Sequence, residues 1–145
     1  MSNWDRRFLG LAKYVAAWSK DPSTKVGCVL VDSAHRILSL GFNGLPAGVS
    51  DSETRLQDRA VKLRLTMHAE ENAILFARAS VVGATCYTWP LPPCAHCAAV
   101  LIQSGIARVL APQADAVLAQ RWGVDLALSA EVLREAGVEL HLWRA

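Results

Sequence analysis

Two short segments restrict how this chain can fold more than anything else in it. His68-Ala69-Glu70 offers an imidazole with a carboxylate two residues on, and Pro93-Cys94-Ala95-His96-Cys97 offers two thiols at Cys-x-x-Cys spacing. A fold that brings them together creates a three-ligand metal site of one nitrogen and two sulfurs, a donor set suited to zinc. Three protein ligands leave the fourth tetrahedral position open, which separates a catalytic zinc from a structural one. Cys-x-x-Cys alone is also found in structural zinc and redox sites, and His-x-Glu alone says less. Together, in this order and with a proline ahead of the thiols, they predict one catalytic Zn2+ held by His68, Cys94 and Cys97.

The local geometry favours this reading. In mid-helix, residues two apart point about 200° apart. At a helix start, where the chain enters from a loop, His68 and Glu70 can face one mouth. Proline favours the first helical positions, so Cys94 and Cys97 are expected at the start of another helix, where free N–H groups stabilise thiolates. His96 has a nitrogen that could ligate, but a fourth protein ligand would close the site, so a non-ligand role is preferred.

The rest of the pattern is that of an α/β chain. Of 145 residues, 52% are hydrophobic and 19% charged, which predicts a folded globule and excludes disorder. Phe8, Leu11, Ala12 and Val15 recur at helical spacing, predicting a helix over 4–19 that Asp21-Pro22 stops. Residues 26–31 are a continuous apolar run, as in a strand covered on both faces. A turn over 32–36 returns the chain as a hairpin strand over 37–42. The polar stretch 44–67 shows no strand pattern, with helix expected near 56–65; loops of such length are often functional. Helices are expected over 68–79 and 95–104, strands over 84–89 and 108–111. Two further helices follow over 114–122 and 129–136, the second capped by Ser129, then a half-exposed strand over 138–142. The apolar run 98–102 predicts a helix buried on all sides, partly in a subunit interface. The expected architecture is a three-layer α/β/α sandwich around a five-stranded mixed sheet.

The N-terminus lacks the apolar run of a signal peptide and no segment has the length of a membrane span. A cytoplasmic protein is therefore expected, in which four cysteines serve as ligands and core rather than disulfides. Cys28 and Cys86 fall in apolar strands and are assigned to the core; His35 and His141 are expected to be solvated. The formal net charge of +2 does not suggest a nucleic-acid wrapper, although a local basic pocket is compatible with it.

The chain resembles the deoxycytidylate (dCMP) deaminases of the cytidine deaminase-like superfamily. The likeness runs to about residue 110. It includes Ser19-Lys20-Asp21-Pro22 before Val26-Gly27, Gly41-Phe42-Asn43-Gly44, Ser50-Asp51, Lys62, the two metal motifs, and Gln103-Ser104-Gly105-Ile106. His68, where free-cytidine deaminases carry cysteine, and Pro92, where RNA-base and guanine deaminases carry glutamate, favour the dCMP group. The resemblance implies a single zinc-dependent nucleotide deaminase domain over 1–145 that hydrolyses dCMP to dUMP and ammonia. It implies Glu70 as proton carrier, Asn43 on the sugar, and the Ala69 N–H on the base carbonyl. Lys20, Ser23, Thr24 and Lys25 follow the first helix as candidate phosphate contacts, with Arg55, Arg59 and Lys62 in the long loop able to close over them. A homo-oligomer is implied, commonly a hexamer in relatives.

Three features depart from the family pattern. Phe42 replaces a tyrosine linked to nucleotide control, Leu63 and Leu65 replace tyrosines, and the segment 87–94 is one residue longer than expected. The competing readings are a deaminase of the same fold acting on another cytosine nucleotide or an RNA base, and an inactive zinc-stabilised binding protein. An RNA reader wants an extended basic surface, and a structural zinc site has no use for Glu70.

Overall fold

The computed structural model describes residues 1–144. The sheet grows outward from the apolar run that the sequence marks as covered on both faces. Strand β1 (Gly27–Val31) is buried at every position. It pairs antiparallel with β2 (Ile37–Phe42) on one side and with β3 (Thr85–Trp89) on the other. Strands β4 (Arg108–Pro112) and β5 (Glu139–Trp143) continue in parallel, giving the order β2-β1-β3-β4-β5. The expected five-stranded mixed sheet is the one observed.

Alternation along β1 divides the core. Val29 and Val31 pack with Phe8, Leu9 and Ala12 of α1 (Asn3–Ala16), whereas Cys28 and Leu30 pack with Ala69, Ala73, Ala98 and Leu101 on the opposite face. Those four belong to α4 (Ala69–Phe76) and α5 (Ala95–Gln103), which α6 (Ala116–Glu135) joins through Leu133. The result is the three-layer sandwich. Two glycines let a helix backbone lie directly on the sheet. A Cβ on Gly27 would sit 2.1 Å from the Ala12 carbonyl oxygen of α1, and one on Gly41 would sit 2.2 Å from the Ala69 carbonyl oxygen of α4. Gly41 therefore permits the close seating of the α4 start, which is the segment carrying His68 and Glu70.

Four expectations on local structure change. Instead of two helices, Ala116–Glu135 form one, because Gly123 costs only about 1 kcal/mol in a helix interior and Leu133 is anchored in the core. Ser129, expected as an N-cap, is consequently in mid-helix and buried, with no hydrogen-bond partner for its hydroxyl among the described residues. Within the single chain helix α5 is not buried on all sides: Ala98 and Leu101 face the core, while His96, Ala99 and Gln103 are exposed. Helix α4 ends at Phe76, where Ala77 turns to extended backbone.

The long polar segment folds as an excursion pinned at its base. Gly44 and Met67 exchange backbone hydrogen bonds of 3.1 and 2.8 Å. Between them lie α2 (Glu53–Gln57) and α3 (Arg59–Leu65), separated by Asp58, whose extended backbone ends one helix while its carboxylate caps the next through the Val61 N–H. The excursion is held to the loop after α1 by a buried ion pair, Lys62 Nζ to Asp21 Oδ1 at 3.1 Å. On the other face, Asp5 ties α1 to the sheet, accepting from Tyr87 Oη at 2.8 Å and from Arg108 at 2.7 Å. No helix among the described residues is long and apolar enough to cross a membrane.

Candidate active site

The starts of α4 and α5 meet beside the end of β3. His68 is the cap residue of α4, in extended backbone, and Cys94 is the cap residue of α5, its sulfur accepting from the Cys97 N–H at 3.4 Å. His68 Nδ1 lies 3.4 Å from Cys94 Sγ and 3.3 Å from Cys97 Sγ, and the three donor atoms lie within 4.8 Å of one another. A tetrahedral ion with Zn–N of about 2.0 Å and Zn–S of about 2.3 Å holds N and S about 3.5 Å apart. The donor set and its spacing therefore fit zinc, with Nδ1 as the histidine ligand. Among the described residues the cluster stops at three members. His96 is outside it: its ring is exposed and lies 3.7 Å from Glu71.

The electrostatics of the cluster are those of ligands awaiting a cation. The hydrogen bond to Cys94 pushes the His68 imidazole up to about 9, against its burial. Hydrogen bonding from Cys97, reinforced by His68, pulls the Cys94 thiol down to about 4. Its negative neighbour Cys94 and burial together push Cys97 up. As zinc ligands the thiols would bind as thiolates and His68 as the neutral imidazole, so metal binding would release protons. Glu70 is 4% exposed, and burial raises its pKa above the ordinary carboxylate value. A buried carboxyl with an elevated pKa suits proton transfer near neutrality.

An open pocket of about 770 Å³, solvent mouth included, has Glu70, His68, Ala69 and Cys94 in its lining. Ser23, Thr24 and Asn43 also line it; Lys20 and Lys25 do not. Lys20 is instead exposed and paired with Asp51 at 2.5 Å. Arg55 turns to the Ser50 carbonyl, 2.7 Å away, whereas Arg59 and Lys62 reach the pocket. Asn43 is buried and spans two strands of chain: its Oδ1 accepts from Val26 N–H at 2.8 Å and its Nδ2 donates to the Thr24 carbonyl at 2.9 Å. One donor and one lone pair remain on it. The lengthened segment after β3 supplies Leu91 and Pro92 to the wall, and Leu63 lies there too.

Arg121, Trp122 and Asp125 of α6 escaped the sequence analysis. The first two line the pocket, and Asp125 Oδ2 accepts from the Ala95 N–H at 2.9 Å, bracing the start of α5 next to Cys94. Their only sequence signal was spacing within one helical turn. The remaining histidines and cysteines are elsewhere. Cys28 and Cys86 are fully buried, with sulfurs 3.5 Å apart; His35 stacks on Trp4 at 4.6 Å; His141 is half-buried rather than solvated.

Known proteins resemble this one over 72–99% of its length. A protein of Aliivibrio fischeri named "uncharacterized deaminase in luxG 3′ region" is 45% identical over 141 residues, covering 97% of this chain and 93% of its own. A probable deoxycytidylate deaminase of Caenorhabditis elegans is 41% identical over 107 residues, and the human deoxycytidylate deaminase 36% over 113; the chain spans 54% and 63% of their lengths. The crystal structure of the dCMP deaminase from cyanophage S-TIM5, solved also with dCMP and dUMP, superposes with a TM-score of 0.76 at 22% identity, over 99% of this chain, and shares its fold. Residues 2–112 match the model of the cytidine and deoxycytidylate deaminase zinc-binding region, and with a His/Cys/Cys cluster suited to that metal the chain belongs to this deaminase family.

Proposed function

We propose that this chain is a zinc-dependent deaminase that hydrolyses dCMP to dUMP and ammonia. The observation that carries the reading is the buried Glu70 carboxyl, outside the ligand cluster yet lining the same pocket as His68 and Cys94. A structural zinc site has no need of such a group. Zinc held by His68, Cys94 and Cys97 would supply water acidified to a pKa of about 7, the nucleophile that neutral-pH hydrolysis needs.

The side chains then divide the work. Glu70 accepts the proton of the attacking water, delivers it to ring N3, and later returns a proton to the departing amine. A C4–O bond forms, the C4–N bond breaks, and ammonia leaves. The Ala69 N–H, at the start of α4, is the donor for the base carbonyl. Asn43, already fixed to Val26 and Thr24, presents its remaining donor and lone pair to the sugar. Ser23 and Thr24 supply hydroxyls to the pocket. Lys20 and Lys25 stand outside its lining and are given no direct contact. The whole chain acts as one catalytic domain, cytoplasmic, and assembles as a homo-oligomer with a hexamer as the expected state. Mass measurement in solution tests the assembly.

The deciding experiment follows ultraviolet absorbance on cytosine, deoxycytidine, CMP, dCMP and dCTP, with zinc analysis of the same sample. Fastest turnover on dCMP by protein carrying one zinc per chain is expected. Absence of dCMP turnover by zinc-loaded protein overturns the substrate; turnover of CMP or dCTP in its place supports the competing reading of another cytosine nucleotide.

A further inference from the structure

The matched family segment ends at residue 112, and helix α6 lies wholly beyond it. That helix nevertheless forms a wall of the pocket through Arg121 and Trp122. Leu133 anchors the helix in the core, and one polar contact fixes its end nearest the site. Asp125 accepts the Ala95 N–H at 2.9 Å and docks α6 against the start of α5. Residues three and four positions earlier share its helix face, so the same bond aims Trp122 and Arg121 at the mouth.

The contact also decides the charge of the mouth. Asp125 stands four residues after Arg121, the usual place for a helical ion-pair partner, but its carboxylate serves Ala95. Three cations line the pocket: Arg59, Lys62 and Arg121. Lys62 is balanced by Asp21 and hydrogen-bonded to Ser23 at 3.1 Å. Among the described residues, neither Arg59 nor Arg121 has a carboxylate within ion-pairing distance. Both are exposed, whereas Glu70 is buried, so the uncompensated positive charge sits at the rim and the reacting group at the floor. Leu63, Leu91 and Trp122 give the space between them apolar walls. The Arg121 guanidinium lies 5.9 Å from the Trp122 ring centroid, within cation–π reach, which limits its wandering.

An anion at the rim joined to a flat ring at the floor has the layout of a nucleoside monophosphate. We propose that Arg121, with Arg59, binds the 5′-phosphate of the substrate, so that a helix outside the zinc-binding segment selects nucleotide over nucleoside. This inference rests on the deaminase reading above. Guanidinium is suited to the task because its planar fork meets phosphate bidentately, which an ammonium does not.

The test measures kcat/KM for dCMP and for deoxycytidine in the zinc-loaded wild type and in Arg121→Gln, Arg121→Lys and Arg59→Gln, with zinc content and Tm of each. Loss of a charge-assisted hydrogen bond predicts that the dCMP-to-deoxycytidine ratio falls about 10- to 100-fold in Arg121→Gln. The change is expected mainly in KM for dCMP, with partial retention in Arg121→Lys and a fall of the same direction in Arg59→Gln. Wild type active on dCMP, with Arg121→Gln changing both substrates by one factor, overturns the phosphate assignment and leaves the deaminase reading standing. Wild type inactive on dCMP overturns both.

Discussion

Asp5 and Glu70 are equally hidden, each 4% exposed, and lie on opposite faces of the same sheet, yet their acidities move in opposite directions. Asp5 is held well below the usual carboxylate range, first by the Arg108 guanidinium and then by donors from Ser2 and Tyr87, which outweigh its burial. Glu70 has no guanidinium bonded to it; burial outweighs the opposing pull of His68 and raises it. Partners, rather than depth, decide what a buried carboxyl does. Asp5 is a fixed charge that fastens α1 to β3 and β4. Glu70, raised by burial, is the acid better suited to carry a proton.

The largest effect expected from this contrast is on rate. Glu70→Gln should lower kcat by about 10³- to 10⁴-fold, or about 4–5.5 kcal/mol of barrier, while the protein keeps its zinc. A variant with near-normal turnover would remove Glu70 from proton transfer. Asp5→Ala should do the reverse. It takes the nearer carboxylate from a half-buried guanidinium, leaving Glu139 at 3.5 Å, and removes the acceptor of the buried Tyr87 hydroxyl, so it should cost about 1–3 kcal/mol in urea denaturation, with kcat of the remaining folded protein within about threefold of wild type. Loss of activity without loss of stability would mean that the two acids are not separable in this way.

Acid titration of stability sharpens the comparison. The folded pKa of Asp5 lies below its unfolded value of about 3.9, so its contribution is complete above about pH 4 and disappears as pH falls through the folded pKa. Asp5→Asn should flatten the acid limb of the stability curve. Glu70 has the opposite sign. In chelator-treated protein, its raised pKa contributes a fall in stability as pH rises from about 4.3 through the folded pKa, set against the opposing rise from Cys94, and the difference between wild type and Glu70→Gln isolates it. Urea melts across pH measure both. The smallest effect concerns neither acid. Ser129→Ala removes a buried, unpartnered hydroxyl from mid-helix and should be neutral or add up to about 1 kcal/mol, read as a Tm rise of a few degrees.

The parts legible in the sequence were those encoded locally. The β1 run, the hairpin turn built on Asp32, and the starts of α4 and α5 each depend on residues within a few positions of one another. Asp32, for instance, accepts from the N–H groups of Ala34 and Arg36 at 2.9 Å each. Errors arose where a local signal met a tertiary one. Ser129 read as the cap of a second helix, but core packing through Leu133 carries α6 through it. Asp58 splits the helix expected near 56–65 because its carboxylate can cap α3. Lys20 and Lys25 stand close in sequence to Ser23 and Thr24, yet only the latter two reach the pocket.

The sequence by itself determined the ligand types, their number and the presence of an acid beside them, since each motif carries these in five residues or fewer. Only the tertiary structure decided which histidine nitrogen faces the thiols, which cations line the mouth, and which of those keep their charge uncompensated. Those outcomes hang on bonds between distant segments: Lys62 to Asp21 across 41 residues, and Ala95 to Asp125 across 30. No local spacing encodes such pairs, because they form only when packing of helices on a shared sheet brings them within hydrogen-bond reach.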